Sequence, residues 1–142
     1  MFDLRNTKLA WETSLGRGVS SIIFLPGADD DGSDQRARLV AGTVQGKLMH
    51  WCLQSPGKPA ATLLDKSTVW ATQALQADLL VSCLGSGALC VSRAAENRLE
   101  SVARSQVSEP PLTGLAVSPD KPGLVATSSF DKTIRVHLYT GT

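Results

Sequence analysis

Two adjoining runs decide the fold: Leu112-Thr-Gly-Leu-Ala-Val-Ser-Pro-Asp-Lys121 and Gly123-Leu-Val-Ala-Thr-Ser-Ser-Phe-Asp-Lys-Thr-Ile-Arg-Val-His-Leu-Tyr139. Short apolar segments alternate here with turn residues, where proline presets φ and aspartate can bond its own backbone. The pattern predicts strands at Leu112–Val117, Leu124–Ser129 and Thr133–Tyr139, with a tight turn at Asp131-Lys132. Three such strands in succession form an antiparallel meander.

Two earlier segments repeat the hairpin that ends this stretch. The three hairpins begin at Leu39, Leu80 and Val125, which lie 41 and 45 residues apart. Their turns are predicted at Gln45-Gly46, Ser86-Gly87 and Asp131-Lys132. A period of about 40–45 residues with several short strands per repeat is typical of β-propellers built from WD repeats.

Each hairpin is preceded by a short uncharged strand, and a more polar outer strand accompanies each repeat. The preceding strands are predicted at Val19–Leu25, Val69–Leu75 and Leu112–Val117. The outer strands are predicted at Lys8–Thr13, Ala61–Leu64 and Arg98–Ala103. We therefore predict an all-β fold, a WD-repeat β-propeller with about three blades in residues 18–64, 68–103 and 112–139.

Residues 1–13 match the end of a further blade whose other strands do not precede them. Because closed propellers have 4–8 blades, residues 1–142 are predicted to be the C-terminal part of a single larger propeller. Both end blades should then expose apolar sheet faces and edges. We expect the isolated chain to be poorly stable or self-associating.

Composition excludes several classes of function. The chain has 142 residues, 42% of them hydrophobic, and 14 basic against 13 acidic residues give a net charge of +1. This balance provides no field to attract nucleic acid or an anionic membrane. The sequence also has no apolar run of membrane-spanning length and no signal peptide, so we expect a cytoplasmic protein without nucleic-acid or membrane partners.

Three cysteines, an odd number, argue against a secreted disulfide framework. A two-residue turn at Ser86-Gly87 would place Cys83 opposite Cys90, at a distance that allows a disulfide. A bulge at the turn would shift the register and separate them. In a reducing cytosol, two small buried thiols are the favoured interpretation.

The loop Gly27–Arg38 contains four aspartates, which raises the question of calcium. With Gly32 at the obligatory sixth position of an EF-hand loop, Gly27 and Arg38 occupy positions that require ligand carboxylates. The pattern fails, and we interpret the loop as a solvated, mobile acidic insertion.

No catalytic motif is present, and no cofactor or metal site is predicted. His50 and His137 fall on different blades without a paired carboxylate, so neither a metal site nor an activated nucleophile is indicated. An enzyme with its active site at the propeller axis would need clustered His, Asp or Glu in the hairpin turns. Those turns contain Gln45, Ser86 and a single Asp131.

The large side chains divide into structural and surface candidates. Trp51 stands at the tryptophan position of the WD repeat, and Asp131 is the one turn aspartate, so we assign both a structural role. Trp70 either packs between blades or anchors a partner. The candidate partner-binding residues are Lys66, Ser67, Trp70, Phe130, Asp131 and Lys132. The Gly-His dipeptide common in WD repeats is absent, with Asp65 near its place in the middle repeat.

Several short motifs resemble the C-terminal blades of the Monad-type WD-repeat proteins, a family of dynein axonemal assembly factors. These motifs are Phe2-Asp-Leu-Arg-Asn6 with Trp11-Glu-Thr13, Lys66-Ser-Thr-Val-Trp70, Ser118-Pro-Asp-Lys121, and Ser128-Ser-Phe-Asp131 with Thr133 and Arg135-Val136. The resemblance implies a seven-bladed propeller without enzymatic activity. It further implies association with axonemal dynein chains and with a prefoldin-like co-chaperone complex that contains RuvB-like ATPases, in cytoplasmic preassembly of ciliary dynein arms. The alternative is a WD-repeat adaptor of another complex, in ubiquitin ligation or RNA processing.

Overall fold

The computed structural model describes residues 11–25, 37–53, 57–95 and 98–141, and within these ranges it is all-β with no helix. The eleven described strands are β1 (Val19–Leu25), β2 (Arg38–Thr43), β3 (Lys47–Cys52), β4 (Ala60–Leu63), β5 (Val69–Ala74), β6 (Leu79–Leu84), β7 (Ala88–Ala95), β8 (Arg98–Gln106), β9 (Leu112–Val117), β10 (Leu124–Ser129) and β11 (Ile134–Leu138). No helix in the described part has the length and hydropathy to cross a membrane.

The strands form three antiparallel sheets in which spatial neighbours follow chain order. The sheets are β1-β2-β3-β4, β5-β6-β7-β8 and β9-β10-β11, which we name blades 1, 2 and 3. The first strands lie side by side, since β1 contacts β5 and β5 contacts β9. This arrangement confirms the predicted all-β, partial β-propeller architecture.

Most predicted strands are present with small shifts at their ends. Strands β1, β9 and β10 have the predicted bounds, whereas β8 continues to Gln106 rather than ending at Ala103. Of the predicted outer strand Lys8–Thr13, the part before Trp11 lies outside the described residues, and residues 11–13 are not in a strand. The acidic loop of residues 27–36 also lies outside them. Arg38, predicted as the end of that loop, is instead a buried first residue of β2.

Packing between consecutive blades forms the core. Blades 1 and 2 enclose one cluster, which includes Val40, Leu48, Leu80 and Cys90. Blades 2 and 3 enclose a second cluster around Val81, Leu89, Leu112 and Val125. The other face of blade 1 carries Leu39, Ala41 and Trp51, against which Trp11 and Leu15 pack. Trp51 meets Trp11 edge-on, with ring centroids 5.7 Å apart.

A β-bulge interrupts the first strand of every blade at an equivalent place. The register shifts occur between Val19 and Ser21, between Val69 and Ala71, and opposite Ser128-Ser129 in β9. The extra residues are therefore Ser20, Trp70 and Thr113. A bulge bends its strand and re-aims one side chain, so these three side chains leave the regular alternation at matching points.

Polar side chains join neighbouring first strands. The Ser20 hydroxyl donates to the carbonyl of Val69 at 2.6 Å. The Gln73 carboxamide donates to the carbonyl of Leu115 at 3.1 Å and accepts from the amide of Val117 at 3.2 Å. Gln73 therefore continues the hydrogen-bond ladder from blade 2 to blade 3 through a side chain.

The hairpin turns contain three residues rather than two. The amides of Gly46, Gly87 and Lys132 donate to the carbonyls of Thr43, Leu84 and Ser129 at 3.1, 3.0 and 3.2 Å. All three have positive φ (83°, 82° and 67°), as expected for a type I turn followed by a left-handed residue.

The longer turn removes the opposition of Cys83 and Cys90 that a two-residue turn would produce. Cys83 lies opposite Leu89, and Cys90 lies opposite Ser82. Opposed residues point to one face of a sheet, so the one-residue slip sends the two thiols to opposite faces of blade 2. Both cysteines are free and buried.

Candidate partner-binding site

The hairpin turns and the connections between blades come together at one end of the molecule. The amides of Leu64 and Asp65 donate to the carbonyl of Gly46, and those of Val107 and Ser108 donate to the carbonyl of Gly87. We name residues 44–46, 64–68, 85–87, 107–111 and 130–132 the loop end. The predicted loop residues Lys66, Ser67, Phe130, Asp131 and Lys132 lie there, and Trp70 follows directly at the start of β5.

Asp65 organises the part of the loop end between blades 1 and 2. One carboxylate oxygen accepts hydrogen bonds from the Ser86 hydroxyl and from Arg104 Nη2, the latter at 3.1 Å. The other oxygen accepts the amide of Lys66 at 2.6 Å. The Ser86 hydrogen bond, the amide of Lys66 and the Arg104 cation lower the pKa of Asp65, so it is an anion at neutral pH.

This network fixes the backbone beside it. Ser67 Oγ accepts the amide of Ser86 at 3.0 Å, and the carbonyl of Thr68 accepts the amide of Gly85 at 2.8 Å. Arg104 also donates to the carbonyl of Leu64 at 3.1 Å. The segment that carries Lys66 and Ser67 is held in one conformation, while the Lys66 side chain stays exposed.

The Trp70 side chain is half-exposed to solvent. As the bulged residue of β5, it sits over Gly85, where an added Cβ would stand 3.3 Å from the indole Nε1. Its relative exposure is 46%. One side of the indole therefore packs over the β6–β7 turn, and the other side is open to solvent.

The turn of blade 3 combines a fixed backbone with exposed side chains. Asp131 accepts the amide of Thr133 at 3.1 Å and Arg135 Nη2 at 2.6 Å. The Arg135 hydrogen bond is the largest of the effects that hold the pKa of Asp131 well below its usual range. Phe130 is 68% exposed at the position that Val44 and Gly85 occupy in the other turns, and Lys132 is exposed beside it.

The loop end carries two paired carboxylates, a further exposed carboxylate at Glu109 and two exposed lysines. Asp65 and Asp131 are each bonded to an arginine, Arg104 and Arg135. The exposed ammonium groups of Lys66 and Lys132 have no ion-pair partner among the described residues. Trp70 lies four residues after Lys66 and Phe130 lies two residues before Lys132, so this end of the molecule carries two exposed aromatic rings and two exposed cations.

The two histidines lie apart from this end and from each other. His50 is buried in β3 and its Nε2 has no hydrogen-bond partner in the described part of the chain. His137 Nε2 is hydrogen-bonded to Thr127 Oγ1 at 3.1 Å. Burial and a nearby arginine lower the pKa of both. No group of three or more His, Cys, Asp or Glu within the described ranges is placed to hold a metal ion.

Sequence comparison places the chain among known proteins. No protein-family model matches it. It is 34% identical to dynein axonemal assembly factor 10 of Homo sapiens, over 99% of this chain and 44% of the human protein. The proteins of the same name from Danio rerio and Chlamydomonas reinhardtii are 31% and 27% identical over 99% of this chain. This chain is similar to dynein axonemal assembly factor 10 over nearly its whole length.

The resemblance inferred from the motifs is thereby confirmed. The chain spans less than half the length of the dynein axonemal assembly factor 10 relatives it matches, about 44% of the human and zebrafish proteins. Similarity to dynein axonemal assembly factor 10 covers the described blades from end to end.

The sequence pattern nominates Lys66, Ser67 and Trp70 as candidates but gives no sign of the contacts that position them. In the sequence, Asp65 stands near the place of an absent Gly-His dipeptide, and Ser86 is a turn residue. The network joins residues 21 and 39 positions apart in the chain. Aligning consecutive repeats makes Ser86 equivalent to the turn aspartate Asp131. That equivalence is the one sequence signal that the Ser86 side chain forms a hydrogen bond in the turn.

Proposed function

We propose that this chain is a non-catalytic scaffold in the assembly of axonemal dynein. The observation that carries the proposal is its similarity, over 99% of its length, to proteins named dynein axonemal assembly factor 10. Residues 1–142 would form part of a single WD-repeat propeller, seven-bladed when complete, to which the described sheets contribute three blades.

The mechanism is presentation of a fixed surface. A propeller binds through loops held by rigid blades, so the loops lose little conformational entropy on association. The hydrogen bonds of Asp65 support a fixed backbone for Lys66, Ser67 and Trp70. Those of Asp131 support a fixed backbone for Phe130 and Lys132. Exposed aromatic rings beside cations are the side chains that most often dominate protein interfaces.

The proposed partners are axonemal dynein chains and a prefoldin-like co-chaperone complex with RuvB-like ATPases. The family resemblance supports these partners, and it supports cytoplasmic preassembly of dynein arms destined for the cilium. The chain would act without a cofactor and without catalysis, by holding partners near one another.

Affinity purification of the tagged chain from ciliated cells tests this function. The wild type should recover dynein chains and RuvB-like ATPases, and two variants, Trp70→Ala with Lys66→Glu and Phe130→Ala with Lys132→Glu, should recover at least tenfold less. The matched control is Lys121→Glu in the β9–β10 turn, at the opposite end of blade 3, which should bind like the wild type.

Two results would overturn the proposal. Recovery of ubiquitin-ligase or RNA-processing subunits without dynein would assign the chain to another adaptor class. Unchanged recovery by both loop-end variants, with circular dichroism confirming that they are folded, would move the binding surface away from the loop end.

A further inference from the structure

Two connections between blades cross the loop end, and both are described along their whole length. Connection 1 (residues 64–70) joins blades 1 and 2, and connection 2 (residues 107–113) joins blades 2 and 3. Blade 2 packs against blade 1 on one face and against blade 3 on the other. The two connections can therefore be compared residue by residue around a blade that has a neighbour on each side.

The two connections share one backbone arrangement. Each passes so close to the glycine of the preceding turn that a side chain would not fit there. An added Cβ at Gly46 would stand 1.9 Å from the carbonyl oxygen of Asp65, and one at Gly87 would stand 2.0 Å from that of Ser108. Asp65 and Ser108 are thus equivalent, and five residues after each comes the bulged residue of the next first strand.

The side chains at equivalent positions differ in chemistry. Connection 1 has a lysine, a serine and a tryptophan where connection 2 has a carboxylate, a residue without an N–H group and a small hydroxyl. The equivalent pairs are Lys66 with Glu109, Ser67 with Pro110, and Trp70 with Thr113. Connection 2 makes the same backbone contacts without a cation or a ring, so the fold itself does not require Lys66 or Trp70.

Connection 1 presents hydrogen-bond donors that have no acceptor among the described residues. Lys66 makes no ion pair there, and the indole Nε1–H of Trp70 makes no hydrogen bond. Both oxygens of the nearby carboxylate, Asp65, are already bonded, one to the amide of Lys66 and the other to Ser86 and Arg104. Any further acceptor must therefore come from another molecule.

The indole extends over blade 2 and away from the innermost strands. An added Cβ at Gly85, in the β6–β7 turn, would stand 3.3 Å from Trp70 Nε1 and 3.4 Å from Ser67 Cβ. Strand β5 has β6 on one side, while β1 and β9 are the neighbouring first strands. The ring therefore lies over the turn of its own blade and beside Ser67, with its open side at the loop end.

We propose that connection 1 binds an acidic peptide segment of a partner protein. Carboxylates of the segment accept from the Lys66 ammonium and the Trp70 indole N–H, and an adjacent apolar side chain packs on the open side of the ring. This inference rests on the proposed function, since it assigns a chemistry to the partner at the loop end. Glu109 repels the same segment at connection 2, so the segment binds beside one blade only.

The charge of the chain favours a peptide over a nucleic acid. A phosphate backbone is held by a row of cations, whereas connection 1 offers one unpaired ammonium and the net charge is +1. A short segment with one or two carboxylates and an apolar residue matches the number of free donors.

Nuclear magnetic resonance of the intact ¹⁵N-labelled chain tests the proposal with the synthetic peptide Asp-Glu-Asp-Leu-Asp-Glu-Asp. The chain has three tryptophans, and Trp70→Phe identifies the indole signal of Trp70. We expect that signal to shift on titration while those of Trp11 and Trp51 stay. Lys66→Glu and Trp70→Ala should each raise the dissociation constant about tenfold or more. Replacing the leucine of the peptide with alanine should weaken binding as well.

Connection 2 supplies the matched variant. Glu109→Lys combined with Thr113→Trp gives connection 2 the cation and ring of connection 1, and it should add a second indole signal that shifts with the peptide. Lys121→Glu makes the same charge change as Lys66→Glu at the opposite end of blade 3, and its dissociation constant should match the wild type. Circular dichroism confirms folding, and Lys66→Gln replaces Lys66→Glu if that variant does not fold.

Three outcomes would overturn this inference. A Trp70 signal that does not move at millimolar peptide shows that acidic segments do not bind here. If the Trp70→Ala, Lys66→Glu variant still loses dynein chains in the affinity purification, the proposed function stands and only the chemistry of the partner is wrong. Equal weakening by Lys121→Glu indicates attraction by overall charge. Tighter binding of a single-stranded oligonucleotide, lost with the same variants, assigns the site to nucleic acid.

Discussion

Lys132 stands in the turn of blade 3 where Gly87 stands in the turn of blade 2, and both adopt a left-handed backbone with φ of 67° and 82°. Glycine adopts this conformation freely, whereas a side chain crowds the following carbonyl. Of the described residues other than glycine, only Lys132 has a positive φ. The turn of blade 3 therefore holds strain that the other two turns avoid.

Replacing Lys132 with glycine should relieve that strain. We expect Lys132→Gly to raise the free energy of unfolding by up to about 1 kcal/mol, measured by urea denaturation. Lys121→Gly removes the same charge in a turn where the backbone has negative φ, and it should give no gain. Equal effects of the two variants would contradict the explanation by backbone strain.

In the turns that have glycine at this position, a larger residue should destabilise the fold. An alanine Cβ at Gly87 would stand 2.0 Å from the carbonyl oxygen of Ser108, and the left-handed φ adds strain. We expect Gly87→Ala to lower the free energy of unfolding by about 1–3 kcal/mol or more. Gly57→Ala is the control, since no atom lies within 4 Å of its added Cβ, and its thermal unfolding should match the wild type.

Acid should destabilise the fold through its histidines before its carboxylates. Desolvation, with an arginine nearby, lowers the pKa of His50 and His137 below 6.5, so the folded chain binds fewer protons than the unfolded chain. The free energy of unfolding should be constant above about pH 7 and fall as pH drops below 6.5. His50→Leu should reduce this slope, and urea titrations at several pH values would measure it.

Asp65 and Asp131 affect the stability of the fold at a lower pH than the histidines do. The pKa values of Asp65 and Asp131 are lowered from 3.8, so their contributions are present above that value and are lost as pH falls through the folded values. An Asp65→Asn variant should therefore share the wild-type slope between pH 6.5 and 5. A changed slope in that range would contradict the assignment to histidine.

The cysteines should differ in reactivity. Burial raises the pKa of Cys83 to about 11 and also raises that of Cys90, whereas Cys52 is only half-buried. Because the thiolate is the reactive form, native protein at pH 8 should show one fast thiol toward a chromogenic disulfide reagent and three after denaturation. Cys52→Ser should abolish the fast phase. A fast thiol that persists in this variant would contradict the buried placement of the other two.

The repeating pattern of apolar and turn residues predicted most of the strands. Val19–Leu25, Leu112–Val117 and Leu124–Ser129 were predictable because each strand alternates apolar residues between turn formers. The Cys83 register was not predictable, because a three-residue turn depends on a left-handed residue that the apolar pattern does not encode. The Asp65 network was not predictable either, since Ser86 and Arg104 meet it only after three separate elements have packed.

A bulge recurs in the first strand of all three blades, at Ser20, Trp70 and Thr113. The ladder skips this residue in every blade, so its side chain is decoupled from strand pairing, and the same backbone accepts serine, tryptophan or threonine. At Ser20 the side chain serves the fold, because its hydroxyl donates to the carbonyl of Val69 in the next blade, whereas at Trp70 it is half-exposed to solvent. The same backbone position therefore joins two blades in one repeat and presents an aromatic ring to solvent in another.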